Sequence, residues 1–351
     1  MLVYCNCEQK TSEPKHLEID ETLIDLLMTD YNLENAPGAA ILIVHQSHIV
    51  LSKGYGLAKI NESTRINNQT NFRLASITKQ FTAMAIMILK QRGQLNYEQA
   101  ITEFFDGFPA YGNSITIRHL LNHTSGLIDY FNLVPNTATE QLKDLDVLEL
   151  MRSQNTTYFI PGSEYRYSNS GYALLALIVE NISGLNFAEF LDINIFTPVD
   201  MSGSVAFEEG TSTIDHRAFG HSFNNSEYFL DDQSMTSAVL GDGGIYTSIQ
   251  DLYMWDLSLT NSDLIDMDMQ SEAFTPGRLN NGEEIDYGFG WALDSYRGKA
   301  RTYHTGSTRG FKNVYQRYPD LGLSITILTN RSSGNPMNIA NKIADILFNK
   351  I

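Results

Sequence analysis

The sequence predicts an α+β fold in which N- and C-terminal helices flank an antiparallel sheet and a helical subdomain is inserted between the two parts of that sheet. Three observations predict it: strand-like runs near the N-terminus and again in the final third, apolar helix-like segments in the middle, and a helical apolar pattern at each end. We expect a single domain with a sheet part, residues 17–75 and 235–351, and a helical part, residues 76–234. Residues 1–16 are polar and are expected to form a disordered tail or a tether.

Composition and charge limit the possible functions. The chain has 351 residues, of which 42% are hydrophobic and 19% charged, so it can bury a sizeable core. Its formal net charge is −17 at pH 7 and it has no basic run, which excludes nucleic-acid binding through bulk electrostatics. No apolar run is long enough to span a bilayer. The two cysteines, Cys5 and Cys7, are too close in sequence for a good disulfide and predict no metal site.

The N-terminal tail has two interpretations. Met1–Cys5, followed by the polar stretch Glu8–Lys15, fits either the stump of a lipoprotein leader with its tether or a plain disordered tail. The first interpretation predicts a periplasmic or cell-envelope location, with a lipoprotein anchor as one form of it.

The first two thirds of the chain alternate between helical periodicity and short apolar runs. The segment Ser76–Arg92 is apolar almost all round, which predicts a helix that is buried on most sides and has Gly93 as its C-terminal cap. The expected elements are helices over Leu17–Tyr31, Ser76–Arg92, Ile117–Leu121 and Tyr172–Ile182, and strands over Ala39–Val44 and Ile49–Leu51.

The final third is richer in strand-like runs. Gly241–Gly244 predicts a turn, and Thr247 with Asp251 suits the start of a short helix that ends near Leu259. The remaining expected elements are strands over Gly288–Leu293, Thr302–His304, Asn313–Tyr318 and Leu323–Thr329, and a closing amphipathic helix over Asn335–Asn349.

Ser76 and Lys79 form the first candidate catalytic pair. They lie three residues apart where the buried helix begins, so both side chains are expected on one helix face. A serine becomes a nucleophile when a neighbouring base takes its proton, and a buried lysine with a lowered pKa can be that base. The alternative is an ordinary helix cap with a surface lysine. The same spacing at Ser12 and Lys15 contains Pro14 and lies in the polar tail, so we interpret it as a chance match.

Tyr167-Ser168-Asn169 is the second candidate motif, between a Pro-Gly turn and a helix. A tyrosine can move protons if a nearby ammonium group lowers its pKa. An asparagine can donate to a substrate carbonyl and anchor the lysine. Tyr111 and Tyr130 share the Tyr-x-Asn spacing, and we interpret both as turn residues.

The third candidate motif, His304-Thr305-Gly306, ends a predicted strand and is followed by Ser307. A cationic or hydrogen-bonding side chain on an edge strand can hold a substrate carboxylate or amide, and glycine allows a substrate backbone to approach closely. The backbone N–H groups of Ser307 and Ser76 are expected to form an oxyanion hole. The alternative is a strand end with a satisfied histidine.

In the order nucleophile, tyrosine loop and strand triplet, these motifs resemble those of the serine β-lactamase and penicillin-binding-protein superfamily. The similarity is to the class C β-lactamase-like branch, which includes D-Ala-D-Ala carboxypeptidases, D-aminopeptidases and some esterases. It covers roughly residues 20–350. Further similar phrases are Thr116–Leu127 (TIRHLLNHTSGL), Pro161–Tyr172 (PGSEYRYSNSGY), Gly241–Ser248 (GDGGIYTS) and Tyr287–Trp291 (YGFGW).

The resemblance implies a β-lactamase/transpeptidase-like fold, no metal and no organic cofactor. It also implies a role for each motif residue, with Ser76 acylated, Lys79 as its base and Tyr167 as general base and acid. The implied set is catalytic Ser76, Lys79 and Tyr167, substrate-binding Asn169, His304, Thr305 and Gly306, and oxyanion donors on Ser76 and Ser307.

One position departs from the family pattern. His304 occupies the place where typical class C β-lactamases have lysine, and the histidine version resembles D-Ala-D-Ala carboxypeptidases, so efficient β-lactam turnover is not expected. The absence of a Ser-Asp-Asn motif and of a clear deacylating glutamate loop argues against a class A β-lactamase. Arg309 is either a cation for a substrate carboxylate or a surface arginine. His119 and His123 are expected to be structural.

The sequence therefore predicts a serine hydrolase that cleaves amide or ester bonds through an acyl-enzyme. D-amino-acid peptides are the first expected substrate class, with β-lactams as substrates or slow inhibitors. A small-ester carboxylesterase is the alternative with the same chemistry, and a non-catalytic binding protein on the same fold is the alternative without it. The expected partners are small-molecule or peptide substrates, and the oligomeric state stays open.

Overall fold

The protein, described by a computed structural model over residues 17–134, 137 and 139–351, is built around a six-stranded antiparallel sheet. Its strands are β1 (Ala39–His45), β2 (His48–Tyr55), β3 (Ala292–Tyr296), β4 (Lys299–Thr308), β5 (Phe311–Tyr318) and β6 (Leu323–Thr329). Their spatial order is β3-β4-β5-β6-β1-β2. The expectations for residues 1–16, including the cysteine pair and the tether, lie outside the described residues.

Ten α-helices occur within the described ranges. They are α1 (Glu21–Leu27), α2 (Lys79–Gln91), α3 (Ile117–Leu121), α4 (Asp144–Arg152), α5 (Asn169–Ser183), α6 (Phe187–Leu191), α7 (Leu240–Gly243), α8 (Ile249–Asn261), α9 (Met267–Ala273) and α10 (Pro336–Phe348). Shorter strands lie at Leu57–Lys59, Thr64–Arg65, Phe72–Arg73, Val205–Ala206, His221–Phe223, Tyr228–Leu230, Ile245–Thr247, Gly277–Arg278 and Glu284–Ile285.

Strand β1 shows why the sheet is covered on both faces. All seven of its residues are buried, and successive side chains point to opposite faces. Ile41 and Ile43 pack in one core cluster with Ile24 of α1 and Ile343 of α10. Leu42 and its neighbours on the other face join the larger cluster, which contains α2 and α5. One sheet thus separates two hydrophobic layers.

The two ends of the chain meet in this sheet. Strand β1 pairs with β6 along its whole length, from Ala39 opposite Thr329 to His45 opposite Leu323. The predicted α+β fold with a discontinuous antiparallel sheet is confirmed. The proposed division into a sheet part and a helical part stays a prediction.

Several predicted elements differ in their bounds. The first helix begins at Glu21 instead of Leu17, and Ser248 caps α8 where Thr247 was expected. Residues 240–243 form one turn of α-helix within the predicted turn cluster. The predicted strand Gly288–Leu293 is wrong in its first four residues: β3 begins at Ala292, because Gly290 has a φ of +78° and bends the backbone against the start of α2.

No single helix within the described residues is long and apolar enough to cross a membrane. One bent pair, Asn169–Ser183 with Phe187–Val199, reaches the required length and composition, with a 79° angle at the break.

Candidate active site

Ser76 lies in a 3₁₀ turn, Ala75–Thr78, immediately before α2. The expectation that Ser76 opens the α-helix is therefore corrected, because the helix begins at Lys79. In a 3₁₀ turn the side chains at i and i+3 eclipse each other, which brings Lys79 Nζ to 3.1 Å from Ser76 Oγ. Ser76 is partly exposed while its neighbours in the turn are buried, so a substrate can reach its hydroxyl.

Lys79 is completely buried and donates hydrogen bonds to three acceptors. These are Ser76 Oγ at 3.1 Å, Asn169 Oδ1 at 2.9 Å and the backbone oxygen of Asp242 at 2.9 Å. Burial lowers its pKa to about 8, although the negative charges of Asp242 and Asp129 oppose that fall. An amine with this pKa is neutral in about a tenth of molecules at pH 7. The structure thus contradicts a surface lysine and places an amine that can act as a base next to the Ser76 hydroxyl.

Asn169 connects Lys79 to a carboxylate. Its Oδ1 accepts from the lysine, while its backbone N–H and its Nδ2 donate to Asp129 Oδ2 at 2.8 and 3.1 Å. Because Asn169 is the first residue of α5, Asp129 also satisfies one of the free N–H groups at that helix start. The anchoring contact is the expected one, and the role of Asn169 toward a substrate carbonyl stays a prediction.

Tyr167 lies against Lys79, with Nζ 5.0 Å from the centre of its ring. Its hydroxyl is buried and makes no hydrogen bond of normal geometry. Burial raises the pKa of Tyr167, and an interaction with the Ser76 hydroxyl opposes that rise only in part. The expected lowering by an ammonium group is therefore wrong, because burial raises the pKa and the negative charges of Asp242 and Asp129 add to the rise. Tyr167 is a neutral phenol, suited to relaying a proton rather than to taking one as a phenolate.

His304 also differs from its expected state. Its side chain is buried, and burial together with the nearby Lys79 charge lowers its pKa to about 3. Because a carbonyl oxygen only accepts, Nδ1–H donates to Thr305 O at 2.7 Å, and Nε2 accepts from the Tyr287 hydroxyl at 3.0 Å. His304 is neutral and both ring nitrogens are occupied. The expectation of a cationic side chain at this position is therefore wrong. The alternative, a strand-end histidine with both ring nitrogens hydrogen-bonded, agrees with the structure.

Gly306 is required by a close approach of two backbones. A Cβ built on Gly306 would lie 2.0 Å from Leu74 O and 3.3 Å from the Cβ of Ala75, next to Ser76. The space on this side of Gly306 is taken by the protein itself, and the expected role of the glycine in admitting a substrate backbone stays a prediction. Its presence holds the end of β4 against the Ser76 turn.

The end of β4 offers a free backbone edge. Pairing with β3 ends at Tyr303, while pairing with β5 continues to Thr308, so residues 304–308 have a strand on one side only. Thr305 and Ser307 have exposed side chains, whereas His304 and Gly306 are buried. Substrate binding by Thr305 and the oxyanion hole on Ser76 and Ser307 stay predictions that this edge permits.

Three residues near Lys79 escaped the sequence reasoning. Asp129 holds Asn169, and Asp242 supplies both a backbone acceptor for Lys79 and a buried carboxylate. Tyr130, expected to be a turn residue, is fully buried, and its hydroxyl donates to Asp242 Oδ2 at 2.9 Å. The only sequence signal was that Asp242 belongs to the family-like phrase GDGGIYTS, whose acidic residue was not singled out.

The other candidates have structural contacts. His123 is buried, accepts from the Ser168 N–H at 3.1 Å, and has its ring 4.2 Å from that of Tyr167. His119 helps to cap α3. Arg309 is 58% exposed and its Nη1 donates to Asp231 Oδ1 at 2.9 Å, which leaves its role toward a substrate open.

The described residues contain no cluster of three His, Cys, Asp or Glu placed to hold a metal ion. The arrangement that remains is a reachable serine, a buried amine with a lowered pKa and a neutral phenol, beside a free strand edge. Such a set can transfer an acyl group to and from a serine.

Comparison with known proteins gives the family. The Beta-lactamase family model matches residues 24–350. Penicillin-binding protein 4* of Bacillus subtilis (strain 168) is 34% identical over 337 residues, covering 92% of this chain and 73% of that protein. D-aminopeptidase of Brucella ovis is 27% identical over 313 residues, covering 88% of this chain and 58% of that protein. The chain thus spans less than two thirds of the second relative.

Solved structures agree on the fold. A penicillin-binding protein from Bacillus halodurans superposes with a TM-score of 0.78 at 27% identity, covering 92% of this chain and 98% of that one. An octameric penicillin-binding protein homologue from Pyrococcus abyssi gives a TM-score of 0.79 at 24% identity, covering 94% and 77%. This chain therefore belongs to the Beta-lactamase family, within the serine β-lactamase and penicillin-binding-protein superfamily, and is a serine hydrolase.

Proposed function

We propose that this serine hydrolase cleaves amide bonds in D-amino-acid-containing peptides or amides through an acyl-enzyme on Ser76. The observation that carries the proposal is the 3.1 Å contact between Ser76 Oγ and Lys79 Nζ, an amine whose pKa burial lowers to about 8. The substrate class is supported by the similarity to the D-aminopeptidase of Brucella ovis, at 27% identity.

Acylation follows from the positions of these groups. Neutral Lys79 takes the proton of Ser76, whose Oγ forms a bond to the substrate carbonyl carbon. The negative charge that develops on the carbonyl oxygen requires donors, for which the backbone N–H groups of Ser76 and Ser307 are the candidates. The C–N bond then breaks, and the leaving nitrogen takes a proton from Tyr167, which recovers one from Lys79. Lys79 is neutral again when the acyl-enzyme is complete.

Deacylation uses the same groups in reverse order. A water molecule loses its proton to Lys79 through Tyr167, and its oxygen attacks the acyl carbon. The bond between this carbon and Ser76 Oγ breaks, and the serine recovers its proton. No charged side chain outside this set is needed for the proton balance.

A second candidate function is hydrolysis of small uncharged esters. The observation that favours it is His304, which is neutral and has both ring nitrogens occupied. The strand triplet therefore supplies no cation for a substrate carboxylate, as a typical class C β-lactamase lysine would. The same observation leads us to expect slow acylation by β-lactams, which carry such a carboxylate, rather than efficient turnover.

Steady-state kinetics with matched substrates separates these candidates. We expect hydrolysis of D-alanine p-nitroanilide well above that of the L-enantiomer, and loss of this activity in Ser76→Ala. Ser125→Ala is the matched control, because Ser125 Oγ only accepts a turn hydrogen bond from Leu127 N at 3.3 Å. Turnover of p-nitrophenyl acetate without turnover of either anilide would favour the esterase. Equal rates for Ser76→Ala and wild type would refute both.

A further inference from the structure

Helix α7, the single turn Leu240–Gly243, is fixed by side chains from both sides. At its start, Asp144 accepts from the N–H groups of Leu240 and Gly241 at 2.8 and 3.0 Å. From α2, Thr82 Oγ1 donates to Gly241 O at 2.7 Å. These three hydrogen bonds fix the position of the turn relative to α2.

The same turn contacts the catalytic lysine directly. Lys79 Nζ donates to the backbone oxygen of Asp242 at 2.9 Å, and buried Arg73 donates through Nε to Gly243 O at 3.3 Å. These bonds place the Asp242 backbone in contact with Lys79. The carboxylate of Asp242 is 6% exposed, so it lies in the same buried layer.

Tyr130 fixes that carboxylate. Its hydroxyl, on a fully buried ring, donates to Asp242 Oδ2 at 2.9 Å. The preceding residue, Asp129, holds Asn169, which in turn accepts from Lys79. Asp129 is thus linked by hydrogen bonds to Lys79 through Asn169, and Tyr130 is linked to Lys79 through Asp242.

We propose that Asp242, held by Tyr130, is a positioning residue that sets the protonation state of Lys79 and so the pH range in which Ser76 can be acylated. The proposal rests on the proposed function, in which Lys79 is the base. The backbone oxygen of Asp242 contacts Lys79 Nζ, and its carboxylate acts through the lysine rather than on the substrate.

All charged or titratable groups around Lys79 enter this balance. The negative charges of Asp242 and Asp129 raise its pKa against the effect of burial. Burial raises the pKa of Asp242 to about 6, and the charges of Lys79 and Arg73 and the Tyr130 hydrogen bond oppose that rise. The further groups on the packed elements are neutral near pH 7 because burial favours their uncharged forms: His123, Tyr167, Tyr172 and His304. Asp144 lies at the start of α7, where burial raises its pKa to about 7 and the negative charge of Asp242 adds to that rise.

The test is the pH dependence of Ser76 acylation by p-nitrophenyl acetate. In Asp242→Asn the lysine loses a negative neighbour and becomes a weaker base, so we expect the acid limb of the rate profile to move down by about one pH unit. In Tyr130→Phe the carboxylate loses a hydrogen bond that favours its charged form, and we expect a smaller shift in the same direction.

Two control variants separate this role from a structural one. Asp251→Asn removes another buried carboxylate, which accepts from Gly203 N and Ser204 Oγ, and Tyr111→Phe removes a tyrosine hydroxyl that donates to Met151 O. Both should leave the limb in place. An Asp242→Asn profile lowered equally at every pH, with its limb unmoved, would overturn the proposal. If Asp242→Asn does not fold, an unmoved limb in Tyr130→Phe has the same meaning.

The proposed function is judged separately, by acylation of the wild type at Ser76. If the wild type is acylated and the limb does not move, only the role of Asp242 fails. If the wild type is not acylated, a double-mutant cycle of Lys79→Met and Asp242→Asn on the unfolding midpoint still tests the charge coupling. A coupling between the two substitutions that weakens as the pH falls below 6 supports the role of Asp242. Additive effects of the two substitutions on the unfolding midpoint at every pH overturn that role.

Discussion

Replacing Gly306 with alanine should separate two backbones that the active site requires to be in contact. The new Cβ would lie 2.0 Å from Leu74 O, whereas ordinary contacts begin at 3.4 Å. The opposing atom belongs to a backbone and the interior is close-packed, so β4 and the Ser76 turn must move apart by more than about 1 Å. Overpacking of this kind costs about 1–3 kcal/mol of stability. A misplacement of that size at a catalytic group costs about 10²-fold or more in rate.

The assay is kcat/KM for p-nitrophenyl acetate together with the urea unfolding midpoint. We expect Gly306→Ala to lose about 10²- to 10³-fold in kcat/KM while it remains folded. Gly243→Ala is the matched control: its Cβ would lie at 3.6 Å from backbone atoms of Ala75, an ordinary contact beside the same turn. Wild-type kinetics for Gly306→Ala, or equal damage by both substitutions, would refute the reasoning.

Three further predictions concern charge and hydrogen bonding. Because Lys79 must be neutral to act as base and burial lowers its pKa to about 8, kcat/KM should fall about tenfold per pH unit below pH 8, and a profile flat from pH 6 to 8 would contradict this. Tyr287→Phe removes the donor to His304 Nε2 and should cost about 1–2 kcal/mol in urea unfolding, whereas no loss would contradict the proposed tautomer. His304 has a pKa of about 3 when folded and about 6.5 when unfolded, so the unfolded chain binds the proton first as the pH falls, and stability is lost below pH 6.5. Between pH 7 and 5 the wild type should lose about 2 kcal/mol more than His304→Gln, and parallel losses would show that this histidine does not titrate as described.

Local spacing predicted the contact between Ser76 and Lys79 but did not by itself single out Ser76, because the same interval occurs at Ser12 and Lys15. The three-residue interval between Ser76 and Lys79 acts within one turn of chain, so sequence alone could predict that the two side chains meet. The relative order of Tyr167 and His304 was meaningful only through the family resemblance. Nothing in the sequence required these two residues to lie beside the serine.

Ionisation states could not be predicted, because they depend on burial by distant parts of the chain. Tyr167 was expected to have a lowered pKa beside an ammonium group, yet burial raises it. His304 was a possible cation, yet burial and the nearby Lys79 charge lower its pKa and keep it neutral. The pKa shift caused by burial depends on the packed core, so it cannot be predicted from the spacing of residues in the sequence.

Long-range contacts account for the remaining differences. Tyr130 lies in a 3₁₀ turn, as expected, but its hydrogen bond to Asp242 joins residues 112 positions apart and could not be predicted from its neighbours. The phrase around Gly290 was apolar enough to predict a strand. It bends instead, because Gly290 adopts a positive φ and packs with its Cβ position 2.7 Å from Lys79 O.

Intact-mass measurement tests the central claim most directly. The wild type, Ser76→Ala and Ser125→Ala would each be mixed with p-nitrophenyl acetate, a penicillin and a D-Ala-D-Ala peptide, and any adduct mapped by proteolysis. We predict an acyl adduct on Ser76 with at least the activated ester, retained in Ser125→Ala and absent in Ser76→Ala. Labelling of another serine, or no adduct and no turnover with any of the three probes, would contradict the account.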